Sequence, residues 1–342
     1  MKTAIPHNII ISRTDSIGDV MLTLPVAAVL KQYFPEMKIG FMGKAYTRPV
    51  IEACKWVDFF IDVNDFLNKE NGSLINGEKA EAILHVFPVA NIASRAKQLQ
   101  IPLRIGTTNR LYHWFTCNKL VRLSRKNSSL HEAQLNLKLL SVFGIENDFS
   151  LAQIQDLFGL EKLPILEPGF ANMIDRNKYR LILHPKSQGS AREWGLDHFI
   201  QLAKSLDRSK YQIFVSGTSK EKESLKPLFD ALGDQITDIS GLMDLEQFMS
   251  FINQCDGLVA NSTGPLHIAA ALGKDAYGIY PPMRPIHPGR WAPIGNKVQV
   301  FVLDRFCEDC RGDKKPCTCM LAIKPLEIKM AIEKMRNANY AG

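Results

Sequence analysis

An arginine and two aspartates crowd into Arg13-Thr14-Asp15-Ser16-Ile17-Gly18-Asp19, directly after the β-branched run Asn8–Ser12. A carboxylate at the carboxyl end of a buried strand can take a proton from a substrate hydroxyl, and Asp19 and Asp15 are the two candidates. Asp19 can equally serve as a cap for the helix that follows. The turn holds only Gly18 and lacks the G-x-G-x-x-G of a dinucleotide site. A second constellation, His184-Pro185-Lys186-Ser187-Gln188-Gly189-Ser190-Ala191-Arg192-Glu193-Trp194, sets cations and hydroxyls in a loop after a buried strand. Such groups suit phosphate oxygens, although a polar loop of this kind is also ordinary surface. The third, Asn261-Ser262-Thr263-Gly264-Pro265-Leu266-His267 onward to Gly273, opens a helix with proline in its first turn and closes it with glycine. Free N–H groups and the positive dipole end make that helix start an anion site. His267, one turn in, either reaches the same anion or is a structural hydrogen-bonder.

Elements that would position these groups alternate along the chain. Strands are expected at Asn8–Ser12, Lys38–Met42, Phe59–Val63, Ala82–Phe87 and Leu103–Ile105, with helices from about Val20 to Tyr33 and over His131–Phe143. Pro25 should kink the first helix or mark its real start near Thr23. Periodicity fades from Asn147 to Lys178, where Pro164, Pro168 and Gly169 suggest a linker. Alternation then resumes, with strands at Arg180–His184, Gln212–Ser216, Thr237–Ile239, Gly257–Ala260 and Ala276–Tyr280. Helices at Leu196–Leu206, Lys220–Leu232, Leu245–Cys255 and Pro325–Met335 are expected among them. This is an α/β chain with a doubly wound parallel sheet in each half, facing a cleft, with ligands at the strands' carboxyl ends. The halves are 1–165 and 178–342, the second including the closing helix. A length of 342 residues, at about 150 per domain, agrees with two domains.

Together the three constellations resemble glycosyltransferase family 9, the lipopolysaccharide heptosyltransferases. The family's R-x-D-x-I-G-D and following proline match Arg13, Asp15, Ile17, Gly18, Asp19 and Pro25. Its H-P loop matches His184, Pro185, Arg192 and Trp194, and its S/T-G-P-x-H-x-A-A-A-L-G element matches Thr263 to Gly273. A downstream R-W-x-P-x-G matches Arg290, Trp291, Pro293 and Gly295, so the likeness spans nearly the whole chain. The resemblance implies a GT-B architecture of two Rossmann-like domains, acceptor on the first and nucleotide sugar on the second. It implies an inverting transfer of heptose from ADP-heptose to a Kdo/heptose core acceptor, without metal or other cofactor, and Asp19 as general base. Lys186, Ser187, Arg192, Ser262, Thr263, Gly264 and His267 would meet the donor, with Glu221 or Glu223 at the ribose and Met243 at the adenine side. Arg13, Asp15, Gly18, Arg95, Arg104 and Arg110 would meet the acceptor. Ser262 stands where many members carry Asp, which leaves room for another nucleotide sugar in surface-polysaccharide assembly.

Composition bounds the rest. Hydrophobic residues at 46% and charged residues at 23% fit a globular chain rather than a disordered or coiled-coil one. No apolar run reaches the length of a membrane span and the start lacks a signal-peptide core, so a cytoplasmic protein is expected, with peripheral contact at the inner membrane face. The net charge of +7 is concentrated: from Asn91 to Leu130 there are eight basic residues and no acid. Such a stretch is either a solvated face or a surface for an anion, which could be nucleic acid, phospholipid or an acidic glycan, and the resemblance implies an anionic glycolipid. It lacks the spacing of a recognised RNA-binding motif, and no nucleic-acid partner is expected. Of seven cysteines, Cys307, Cys310, Cys317 and Cys319 cluster, either as a metal-free loop or as a structural zinc site away from the chemistry.

Overall fold

The structure, a computed structural model, describes residues 5–69, 74, 75, 77–126, 128–305, 307 and 317–340. Two compact units divide the chain, Met1–Lys162 and Leu163–Gly342. In the first unit the strands are β1 (Asn8–Ser12), β2 (Lys38–Gly43), β3 (Phe59–Asp62), β4 (Leu74–Ile75), β5 (Glu78–Lys79), β6 (Ala82–His85), β7 (Leu103–Thr107) and β8 (Lys119–Val121). β4 and β5 pair with each other; the rest form a parallel sheet of order β3-β2-β1-β6-β7-β8. β1, Asn-Ile-Ile-Ile-Ser, is buried along its length because a central parallel strand is covered on both faces. Ser12 lies opposite Met42 on one side and His85 on the other. Strand order reverses between β1 and β6, so a ligand crevice belongs at their carboxyl ends.

The second unit repeats the plan with β9 (Tyr179–His184), β10 (Tyr211–Val215), β11 (Thr237–Asp238), β12 (Gly257–Asn261), β13 (Asp275–Ile279) and β14 (Val298–Phe301). Their order is β11-β10-β9-β12-β13-β14, all parallel, and the reversal falls between β9 and β12. The expected α/β class, with a doubly wound parallel sheet in each half, is therefore what the chain forms.

The differences have local causes. The helix expected from Val20 to Tyr33 is two, Ile17–Met21 and Leu24–Tyr33. Pro25 has no N–H to give and its ring would strike the carbonyl four residues back, so it is accommodated in the first turn of the second helix. The segment 131–143 is α-helical only over Glu132–Leu137 and then tightens to a 3-10 helix, Lys138–Phe143. The stretch read as a linker carries hydrogen bonds: Lys55 N–H donates to Gly159 O at 2.8 Å, and the Ser250 hydroxyl to Pro164 O at 2.7 Å. Proline and glycine ended regular elements there, while backbone groups of the stretch still find partners. β8 and β14, edge strands of three and four residues, are too short to announce themselves. The closing helix, Pro325–Tyr340, packs on the second unit, burying Ile328 and Ile332 in that unit's core. Each such side chain contributes about 1.5–3 kcal/mol.

Candidate active site

Leaving β1, the chain buries Arg13 at 2% exposure and surrounds it with carboxylates. Its Nε–H donates to Asp15 Oδ1 at 2.7 Å, one terminal nitrogen donates to Glu132 Oε1 at 3.1 Å, and the other donates to Asp19. Burial opposes the guanidinium charge, but Asp15, Asp19 and Glu132 outweigh it and push Arg13 above the ordinary arginine range. Arg125, from the basic stretch, also donates to Glu132, as well as to Asn136 Oδ1 at 3.1 Å and Val86 O at 2.8 Å.

Asp19 sits in the first turn of Ile17–Met21, beside Gly18. One of its oxygens accepts from Arg13 and the other from the Ser16 hydroxyl, so side chains rather than the helix's own N–H groups hold it. At 16% side-chain exposure it keeps an edge open, as a proton acceptor requires.

Burial pushes Asp15 up to about 6, with Arg13 opposing and Asp19 adding to the rise. Because the native pKa lies above the unfolded value of 3.8, the native state holds this proton more tightly. The associated stability is present below pH 4 and is lost as pH rises toward 6. Asp15→Asn should flatten that slope: between pH 4 and 7 its unfolding free energy should fall by less than the wild type's, by on the order of 2 kcal/mol. Urea titrations at the two pH values check this, and an unchanged slope in the variant would contradict it.

The other arginines assigned to an acceptor lie elsewhere in the unit. Arg95 donates to Phe66 O at 3.4 Å and Lys69 O at 3.0 Å, at the end of the helix Val63–Asn68. Arg104 donates to Thr116 O at 2.8 Å and to Ile101 O. Arg95 thus ties its helix to the end of another, Arg104 braces the residues around its own strand, and Arg110 is exposed. Sequence reasoning missed Glu132, which looks like an ordinary acid in a helix's first turn. It also missed His85, whose ring nitrogens are buried without a hydrogen-bond partner beside the equally unpartnered Ser12 hydroxyl. Burial, with His113 and Arg104 acting the same way, pushes His85 down to about 3, so it is neutral.

In the second unit the loop after β9 and the helix after β12 flank the reversal of strand order, while Glu221, Glu223 and Met243 follow β10 and β11. Gln188 (φ 50°) and Gly189 (φ 77°) turn the loop after β9 back on itself. The Lys186 ammonium donates to Glu193 Oε2 at 2.6 Å, and the Ser187 N–H and hydroxyl each donate to Glu193 Oε1 at 3.1 Å. The loop thus already cradles an anion, the side chain of Glu193. Arg192 is half-buried next to it. Asn261, at the end of β12, ties both ends of the loop: its Oδ1 accepts from Trp194 N–H at 2.9 Å and its Nδ2 donates to Pro185 O at 2.8 Å. His184 pairs with the Ser216 hydroxyl at 2.9 Å, and burial, against Glu221 and Glu193, pushes it down to about 4.

Thr263 caps the helix Gly264–Ala271 in an extended conformation and is 7% exposed, yet its hydroxyl is buried with no hydrogen-bond partner. A cap residue that makes no cap bond, at the positive end of a helix, is a donor awaiting an acceptor. Ser262 bonds the buried Tyr280 hydroxyl, and His267 is buried one turn into the helix. Glu221 is engaged within the protein, accepting from Gln188 N–H at 3.2 Å and from the Thr218 N–H and hydroxyl at 2.9 Å. Glu223 is exposed on the following helix, Lys222–Leu232. Half-buried Met243 follows Gly241, whose φ of 69° and close approach to the Ser219 backbone (2.8 Å from an added Cβ) demand glycine. Asn261 was legible only as a polar residue ending a buried strand.

Among the described residues there is no group of three or more His, Cys, Asp or Glu able to hold a metal ion. Cys307, Cys317 and Cys319 are buried in the second unit's core, with an Arg305 N–H 2.8 Å from Cys319 Sγ, and Cys310 lies outside the described residues. No described helix is long and apolar enough to cross a membrane.

Comparison with known proteins adds the following. The sequence profile of "Glycosyltransferase family 9 (heptosyltransferase)" matches residues 93–321. The chain is 27% identical over 328 residues to lipooligosaccharide heptosyltransferase 2 of Campylobacter jejuni, covering 94% of this chain and 95% of that one. Among solved structures, a glycosyl transferase of family 9 from Veillonella parvula superimposes with a TM-score of 0.80 at 18% identity, covering 99% of both chains. The E. coli ADP-heptose LPS heptosyltransferase II does so with a TM-score of 0.75 at 20% identity, covering 97% of this chain and 99% of that one.

Proposed function

The chain belongs to glycosyltransferase family 9, and from that premise we propose that it moves heptose from ADP-heptose to a lipopolysaccharide core acceptor, inverting the anomeric centre without a metal. In this reading the acceptor hydroxyl oxygen attacks the anomeric carbon as the bond to the diphosphate breaks. The proton passes to Asp19 and the electron pair leaves with ADP. The transition state is oxocarbenium-like, so the groups that matter are those meeting charge on the departing diphosphate. Thr263, Gly264 and the helix start supply them, together with Lys186, Ser187 and Arg192, while the acceptor is an anionic glycolipid. His267, Ser262, Met243 and the Glu221–Glu223 segment complete the donor side.

One observation carries the donor assignment: the buried Thr263 hydroxyl has no partner at a helix N-terminus. Leaving such a group unmade costs about 1–3 kcal/mol, which a phosphate oxygen would recover. Thr263→Val should therefore leave the unliganded protein as stable or more so, while weakening ADP by about 1.5–3 kcal/mol, roughly ten- to a hundredfold. The test is a thermal-shift titration of wild type and variant against ADP, ADP-heptose and a panel of UDP-sugars. Greater stabilisation by the ADP compounds, lost in the variant, supports the reading. Equal or better stabilisation by UDP-sugars would instead favour a different nucleotide-sugar donor, the alternative that Ser262 keeps open.

A further inference from the structure

The turn from β7 to β8 places three large apolar side chains in water. Leu111 is 76% exposed, Trp114 58% and Phe115 69%. Single exposed apolar residues are ordinary, but three large ones within five positions of one turn are not. The local fold separates inside from outside: in the short helix His113–Thr116 the two end residues are buried, and the two aromatics between them are not. Trp114 has its one polar atom satisfied, Nε1–H donating to Thr108 O at 3.1 Å, so what it shows to solvent is hydrocarbon.

Cations border the patch. The Lys97 ammonium donates to Phe115 O at 3.0 Å, Arg110 immediately precedes Leu111, and Lys119 and Arg122 are exposed just downstream. No acid occurs anywhere from Asn91 to Leu130. Apolar anchors with an indole among them, accompanied by cations in a stretch without acids, match a surface that is apolar beneath and anionic above. A nucleic acid would stack on Trp114 and Phe115 but offers Leu111 nothing, and an acidic protein face would leave the apolar patch unexplained.

We infer that Leu111, Trp114 and Phe115 insert into an anionic phospholipid bilayer, with Lys97, Arg110 and Lys119 meeting its headgroups. This deepens the proposed reading of a glycolipid acceptor, since such an acceptor resides in a bilayer, but binding is measured without any transfer step.

The test is co-sedimentation of the full chain with phosphatidylcholine vesicles with and without 30% phosphatidylglycerol, a composition chosen to give a strongly anionic surface (~30% charge). Wild type should bind the anionic vesicles and not the neutral ones. Replacing the three apolar residues together (Leu111→Ser, Trp114→Ser, Phe115→Ser) should weaken binding at least about tenfold. Trp114 emission should shift to the blue on binding and be quenched by brominated lipid, a signal absent in Trp114→Phe. The ADP thermal shift of the triple variant should equal that of wild type, which separates failure here from failure of the donor assignment. Absence of wild-type binding, undiminished binding by the triple variant, or a preference for duplex RNA over vesicles would each overturn the inference.

Discussion

Asp19→Asn lowers the turnover of sugar transfer by roughly 10²–10⁴-fold and leaves ADP affinity unchanged. The substitution keeps side-chain volume, so the helix Ile17–Met21 and the contact with the Ser16 hydroxyl can persist. What it removes is the carboxylate oxygen proposed to take the acceptor proton and the charge that Arg13 faces. A steady-state assay by mass spectrometry, with ADP titrated in parallel, reads both quantities. Near-wild-type turnover would dismiss Asp19 as the base and turn attention to Asp15. A joint loss of turnover and nucleotide affinity would point to misfolding instead.

Arg13→Met destabilises the first unit by about 3–5 kcal/mol, because it leaves buried carboxylates without their cation. Arg13 and Glu132 are each about 2% exposed, and Asp15 and Asp19 are only partly open to water. Arg125 continues to neutralise Glu132, so the penalty should fall chiefly on the two aspartates. Raising the acidity of the medium should recover part of the loss, since burial already pushes Asp15 up and protonation removes its unpaired charge. Urea midpoints at pH 7 and pH 5, with the slope checked for constancy, test this. A change below about 1 kcal/mol would mean that the cluster relaxes into water and that Arg13 is not its keystone.

Much of the chemistry was visible in one dimension because it is local. The motif at residues 13–19 brings aspartates, arginine and glycine together within two turns of chain, and the cap, proline and glycine around the helix Gly264–Ala271 mark its start and stop. The buried β-branched runs likewise told strand from helix, and the alternation told parallel from antiparallel. Other assignments rested on residue type and not on neighbours. Arg95 and Arg104 belong to a basic stretch, yet their donors face carbonyls of their own unit. Arg125, in the same stretch, is the second cation on a buried glutamate.

Local propensity, hydrophobic period and turn chemistry act over a few residues, and they determined the α/β alternation, the helix start at Thr263 and the carboxylate at the end of β1. Pairing across the fold is set by which strands become neighbours, and that arises only when the sheets assemble. Arg13 meets Glu132 across 119 residues of chain, and Asn261 reaches Trp194 across 67. Whether the hydroxyl of Thr263 has a partner likewise depends on everything packed around it, since hydrogen bonds form in three dimensions and burial decides what an unformed one costs.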